Sequence, residues 1–155
     1  MSKTRKPKRA PVIIPDFDQS LPMLLLRARD ASMGYFKPVF VEAELTEQQW
    51  RVLRALGDSG ESDISSIADA CYLLQPSMSG ILKRLESRDL ISRKVNSKDQ
   101  RSSLIKLTAN GKKLIKHVSP RLANSYEEIQ AKIGIEQLSQ LYQVLSDIEA
   151  KLRSQ

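Results

Sequence analysis

The 155-residue chain has one cysteine, Cys71, and one histidine, His117. A single cysteine closes no disulfide within the chain and builds no cysteine-based zinc site. The single histidine has no catalytic partner visible in the pattern, so no histidine-based triad is read. No general base, nucleophile or metal-ligand set converges in the pattern, so the chain reads as a non-enzyme without a cofactor. No run approaches ~18 apolar residues, and the basic N-terminus is not followed by an apolar segment. The expectation is a soluble cytoplasmic protein with no membrane partner.

Positive charge is what the chain has in excess, and it is unevenly placed. The formal net charge is +7. Residues 1–11 carry five positive and no negative charges, and residues 83–106 carry eight positive against three negative. The rest of the chain is net negative. Two basic stretches fit docking on a polyanion better than general solvation does.

The second basic stretch belongs to Gln75–Leu107, which reads in three pieces. A helix opens at Gln75-Pro76-Ser77 and runs to about Asp89, with Pro76 in the first turn, where a missing N–H is harmless. A basic, β-branched run, Leu90 to Val95, follows. A polar turn, Asn96 to Ser103, then leads into Leu104–Leu107. A helix followed by a basic ribbon is a winged helix. Ile81, Leu82, Leu85, Leu90 and Ile91 mark its buried side. Small polar residues at the helix start can approach base edges, and the basic residues can meet phosphate. The candidate DNA-contacting set on the helix is Gln75, Ser77, Met78, Ser79, Lys83 and Arg84. Serine is permissive and Lys or Arg serves either role, so the division between base and phosphate contacts stays open. Gln75 either reads adenine or caps the helix. Arg88, Arg93, Lys94 and Lys106 are further phosphate candidates.

The remaining elements follow from caps and periodicity. Residues 1–18 are a basic, proline-containing arm suited to a DNA groove or to solvent. Ser20 to about Glu44 is a long helix, capped by Ser20 and kinked or broken at Pro38. Its apolar positions cover much of the circumference, so it touches more than one partner. Thr46 and Gln49 form a capping box for a helix to about Leu56, ended by Gly57–Gly60. Ser62 or Asp63 caps Ile64–Cys71, which completes a helix-turn-helix with the helix at Gln75. Thr108 starts a helix to about Ile133, bent at Pro120 and ended by Gly134. In the last helix, from Ile135 to about Leu152, Leu138, Leu141, Leu145, Ile148 and Leu152 fall at spacings of 3, 4, 3 and 4. That a/d seam is too short for a free coiled coil but suits helices interlocking with a partner chain.

This order of elements resembles the MarR (multiple-antibiotic-resistance regulator) family over about residues 20–152. Asn96-Ser97-Lys98-Asp99-Gln100-Arg101 is similar to the family's Asp-x-Arg-Asp-x-Arg wing signature, with Asn and Lys in place of the first Asp and Arg. Leu107-Thr108-Ala109-Asn110-Gly111 is similar to its Leu-Thr-x-x-Gly. Segments around Ala28–Ala31, Tyr35–Pro38 and Leu45–Arg51 resemble the family's repressors of aromatic-acid catabolism, of the homoprotocatechuate and hydroxycinnamate types. The resemblance implies a mainly α fold with a small β-wing, in which a winged helix-turn-helix lobe (46–108) joins dimerisation helices (19–45 and 109–155) of an interlocked homodimer. It implies a repressor on a pseudo-palindromic double-stranded operator. A small aromatic acid, such as a hydroxycinnamate or hydroxybenzoate, or its coenzyme A thioester, would release it.

On that resemblance Arg101 enters the minor groove, where narrow A·T tracts concentrate negative potential. Asp99 holds Arg101 or Lys98 by an ion pair, and Asn96 leaves Lys98 less restrained. The implied effector pocket draws on Arg27, Arg29, Ser32, Tyr35, Phe36, Trp50 and Tyr72. Arg27 and Arg29 point to nearly opposite sides, and at least one of them would lie at the pocket and pair with a carboxylate or phenolate. Trp50 shares a face with Leu53 and Leu56, for which core packing is the simpler role. The rival readings are a sequence-tolerant architectural DNA binder and a redox regulator sensing through Cys71.

Overall fold

A computed structural model describes residues 14–95 and 103–154. The chain divides into two compact units between Met33 and Gly34. In the N-terminal unit a 3-10 turn at Phe17–Gln19 precedes the start of helix α1 (Leu21–Glu42). Ser20, expected as a cap, instead donates its hydroxyl to the Phe17 carbonyl at 2.8 Å. Leu21, Leu24, Leu25 and Leu26 are all at least 40% exposed. Residues 1–13, most of the expected arm, lie outside the described residues.

The second unit holds the remaining helices: α2 (Glu47–Ser59), α3 (Ile64–Ala70), α4 (Gln75–Ser87), α5 (Ala109–Ile133) and α6 (Ile135–Arg153). The Thr46–Gln49 capping box is present in both directions, at 2.8 and 3.1 Å. Asp63, not Ser62, caps α3 through the Ser66 N–H at 2.9 Å. Thr108 caps α5 through the Gly111 N–H at 3.0 Å. Each such cap satisfies a donor that a helix start leaves unpaired. Helix α2 runs on through Gly57 and stops only at Gly60, whose φ of 78° ends the helical path. Pro38 and Pro120, expected to break or bend their helices, lie inside continuous α1 and α5. Both prolines are exposed. The carbonyl one turn back can therefore turn to water, and the helix tolerates the missing bond.

Three antiparallel strands, β1 (Ser62–Asp63), β2 (Ile91–Val95) and β3 (Ser103–Leu107), form a sheet in the order β1-β3-β2. The wing pair runs in register from Ile91 opposite Leu107 to Val95 opposite Ser103. Val52, Leu53, Ala68, Leu82, Leu85 and Ile105 are fully enclosed where α2, α3, α4 and the sheet meet. Each buried Leu or Ile contributes on the order of 1.5–3 kcal/mol by leaving water. This core fixes the outward face of α4 and the base of the wing. In α6, Leu138 is buried and Ile148 half-buried, while Leu141, Leu145 and Leu152 are 38–65% exposed.

Candidate nucleic-acid interface and adjoining cavities

Helix α4 buries Met78, Leu82 and Leu85. Their spacings of four and three place them on one stripe. Met78, at 1% exposure, therefore belongs to the core and is removed from the contacting set. The opposite face carries Lys83 and Arg84, which are exposed and make no ion pair among the described residues. Ser77 and Ser79 are also exposed. Gln75 neither caps the helix nor projects an unengaged amide: its Nε2 donates to Ser65 Oγ at 2.9 Å, bracing α3 against α4.

Of the further phosphate candidates, Lys106 is exposed and makes no ion pair among the described residues, whereas Arg88, Arg93 and Lys94 have partners. The Arg88 guanidinium donates to the carbonyls of Glu44 at 2.6 Å and Ala43 at 3.2 Å, so its role is to hold the end of α1. Glu44 has a φ of 52°, a left-handed conformation that costs an L-residue about 1–2 kcal/mol. Arg93 lies 3.9 Å from Glu86, and Lys94 lies 2.9 Å from Glu61. Lys98, Asp99 and Arg101, with Asn96, lie outside the described residues. Strands β2 and β3 are anchored at their base. Thr108 donates its hydroxyl to the Asp89 carbonyl at 2.6 Å, and Asn110 donates to the Asp89 carboxylate at 2.7 Å.

Two cavities adjoin Trp50 of α2. One, about 430 Å³, is lined by Trp50, Arg54, Asp58, Ser119, Leu122 and Tyr126, among others. Phe36 backs its Tyr126 wall, with ring centres 4.9 Å apart. The other, about 290 Å³, is lined by Trp50, Arg51, Arg54, Cys71 and Tyr72, among others. Trp50 and Arg54 thus serve both, and the Arg54 guanidinium sits 5.9 Å from the Trp50 ring centre. Trp50 is itself only 9% exposed and contacts Phe40, so it is both core and wall. Arg54 keeps a loose 3.6 Å pair with exposed Asp58. Arg51 donates to the Cys71 carbonyl at 2.8 Å, and its buried Nε, 3.7 Å from Glu47, has no hydrogen-bond acceptor. Sequence reasoning missed Arg54 as a site residue, although it follows Trp50 by one helical turn.

The other expected pocket residues are placed as follows. Tyr35 accepts the Ser125 hydroxyl on its carbonyl at 2.8 Å, and Lys132 lies 5.2 Å from its ring centre. In the N-terminal unit, exposed Arg27 donates to the Asp18 carbonyl at 3.3 Å. Ser32 donates to the carbonyl of Arg29, also exposed, at 2.7 Å. Cys71 is 3% exposed, and burial pushes its thiol above the usual range against the opposing charge of Arg51. A buried thiol kept protonated is a poor redox sensor.

A helix-turn-helix with an unpaired basic face on its second helix, followed by a β-wing, defines a winged-helix DNA-binding protein. The family model described as MarR family matches residues 45–103. The HTH-type transcriptional regulator FarR of Neisseria gonorrhoeae is 36% identical over 124 residues, covering 80% of this chain and 85% of that protein. The homoprotocatechuate degradative operon repressor of Escherichia coli is 37% identical over 131 residues, covering 84% and 88%. A crystal structure of NadR in complex with 4-hydroxyphenylacetate matches with a TM-score of 0.72 at 34% identity, covering 88% of this chain and 97% of that one. The chain belongs to the MarR family of transcriptional regulators. Among the described residues no helix is long and apolar enough to cross a membrane.

Proposed function

We propose that this chain is a homodimeric repressor that holds a pseudo-palindromic operator and releases it when an aromatic acid binds beside Trp50 and Arg54. The observation that carries the effector site is the aromatic wall with a guanidinium over it, facing cavities of about 430 and 290 Å³. Mostly apolar sites with a few placed polar groups, at about 300–1,000 Å³, suit small ligands. A guanidinium in such a setting pairs bidentately with a carboxylate. An acyl thioester has no such carboxylate, so the free acid is the effector. The E. coli relative is named for an aromatic catabolic operon, and the NadR structure holds an aryl acetate.

Residues 46–108 read the operator, and residues 1–18 add a basic arm. Residues 19–45 and 109–155 supply the dimer, and a second copy covers the exposed leucines of α1 and, separately, those of α6. Arg101 enters the minor groove. The protein acts in the cytoplasm by binding, not by turnover. Titrating a panel of hydroxylated aryl acids against a labelled promoter fragment tests this reading. Release by at least one acid, with operator preferred over random DNA at fixed salt, is expected. Equal affinity for random DNA, or no release by any acid, contradicts it.

A further inference from the structure

The turn between α3 and α4 is pinned on two sides. On one side Arg51 of α2 donates to the Cys71 carbonyl at 2.8 Å. On the other, Tyr72 donates its hydroxyl to Glu149 of α6 at 2.7 Å. Arg153 closes this second contact, 3.2 Å from Glu149 and 4.9 Å from the Tyr72 ring centre. Tyr72 adopts a left-handed φ of 51°, which an L-residue holds only when its surroundings impose it. Helix α4 begins three residues later, at Gln75.

Tyr72 also faces both ways. It lines the 290 Å³ cavity together with Trp50, Arg51 and Arg54. It lines a separate cavity of about 470 Å³ with Ser77 and Arg84 of α4. One residue therefore lines the effector cavity, bonds the C-terminal helix and shares a second cavity with the start of the DNA-reading helix. Surface hydroxyl–carboxylate bonds ordinarily matter little, because water replaces them. This one ties the turn ahead of α4 to the C-terminal helix, so breaking it frees the turn rather than a side chain.

We propose that Tyr72 is the positioning residue through which an effector acid moves the DNA-reading helix, by displacing the Tyr72–Glu149 and Arg51–Cys71 contacts. The route rests on the effector reading above. The buried Arg51 Nε pairs with Glu47 only at 3.7 Å and makes no hydrogen bond, and the carboxylate of an acid seated against Trp50 supplies a closer acceptor. Rotation of the guanidinium toward it withdraws the N–H from the Cys71 carbonyl, while the aryl ring crowds Tyr72. Both pins of the turn then loosen together, and the population shifts toward a dimer whose α4 helices no longer match the operator.

The test uses the full chain with Tyr72→Phe, Glu149→Gln and the double variant, against operator and random duplex at fixed salt. Tyr72→Phe keeps the ring and the net charge. It should weaken operator binding about three- to tenfold, leave random-duplex binding and the melting temperature unchanged, and add nothing further in the double variant. Additive losses, or an unaltered operator affinity, overturn the proposal. In the effector arm, 4-hydroxyphenylacetate and related acids should release Tyr72→Phe by a smaller factor than wild type. Release of both by the same factor also overturns it. If no acid releases wild type, the effector reading and the effector route fall together, and the operator cycle still decides whether Tyr72 positions α4.

Discussion

Gly111, at the start of α5, lies against the carbonyl oxygen of Leu90, and a Cβ on Gly111 would fall onto that oxygen. The neighbouring Thr108 N–H donates to the same carbonyl at 3.1 Å. The Leu-Thr-x-x-Gly pattern is thus a packing requirement: α5 crosses the base of the wing with no room for a side chain. Gly111→Ala should destabilise the fold by about 1–3 kcal/mol through backbone displacement. Chemical denaturation checks this, and a stability equal to wild type would mean that the crossing is looser than described.

The basic residues should separate by partner. Lys83→Ala and Arg84→Ala remove charges that have no protein partner among the described residues. Each should weaken DNA binding more than Arg93→Ala or Lys94→Ala, whose charges are already shared with Glu86 and Glu61. Removing a cation that sits on a phosphate should also reduce the salt slope of binding by about one. Salt-dependent titrations of the four variants on one duplex check the order.

Arg88 should behave oppositely to Lys83. Its guanidinium is spent on two backbone carbonyls. Arg88→Ala should cost about 1–2 kcal/mol of stability, as expected for hydrogen bonds made by a charged donor. The salt slope of DNA binding by the folded variant should stay at the wild-type value. A changed slope with unchanged stability would return Arg88 to the DNA-contacting set.

Local chemistry made much of this legible from sequence. Thr46 with Gln49, Thr108 with Gly111, and Gly134 each announce a helix boundary within a few residues of themselves, and all three are observed. Long-range geometry was not legible. Strand β1 is two residues, Ser62–Asp63, and exists only because distant Leu104 and Ile105 pair with it. Met78 looked like a surface position at a helix start because the phase of α4 is set by what it packs against. Arg54 did not read as a site residue at all, and only the fold places it over Trp50. Tyr72 as a link to Glu149 depends on where α6 lies, which no local pattern encodes.

Cys71 should be inert while the protein is folded. Burial raises its thiol above the ordinary value, so the thiolate fraction at mildly alkaline pH is smaller than for an exposed cysteine. Alkylation there should be slow until denaturant is added, and Cys71→Ser should retain its response to aryl acids. Rapid labelling of the native protein would revive redox sensing.

Recognition of an aryl acid by Arg54, beside Trp50, is the central claim. The direct measurement is release of labelled operator by 4-hydroxyphenylacetate, for wild type and for Arg54→Ala. Wild type should lose about 5–150-fold in operator affinity at saturating acid, the usual span of such coupling. Arg54→Ala should bind operator normally and need at least about tenfold more acid for the same release, as removal of a charge-assisted pair implies. Equal acid concentrations for the two proteins would contradict that claim.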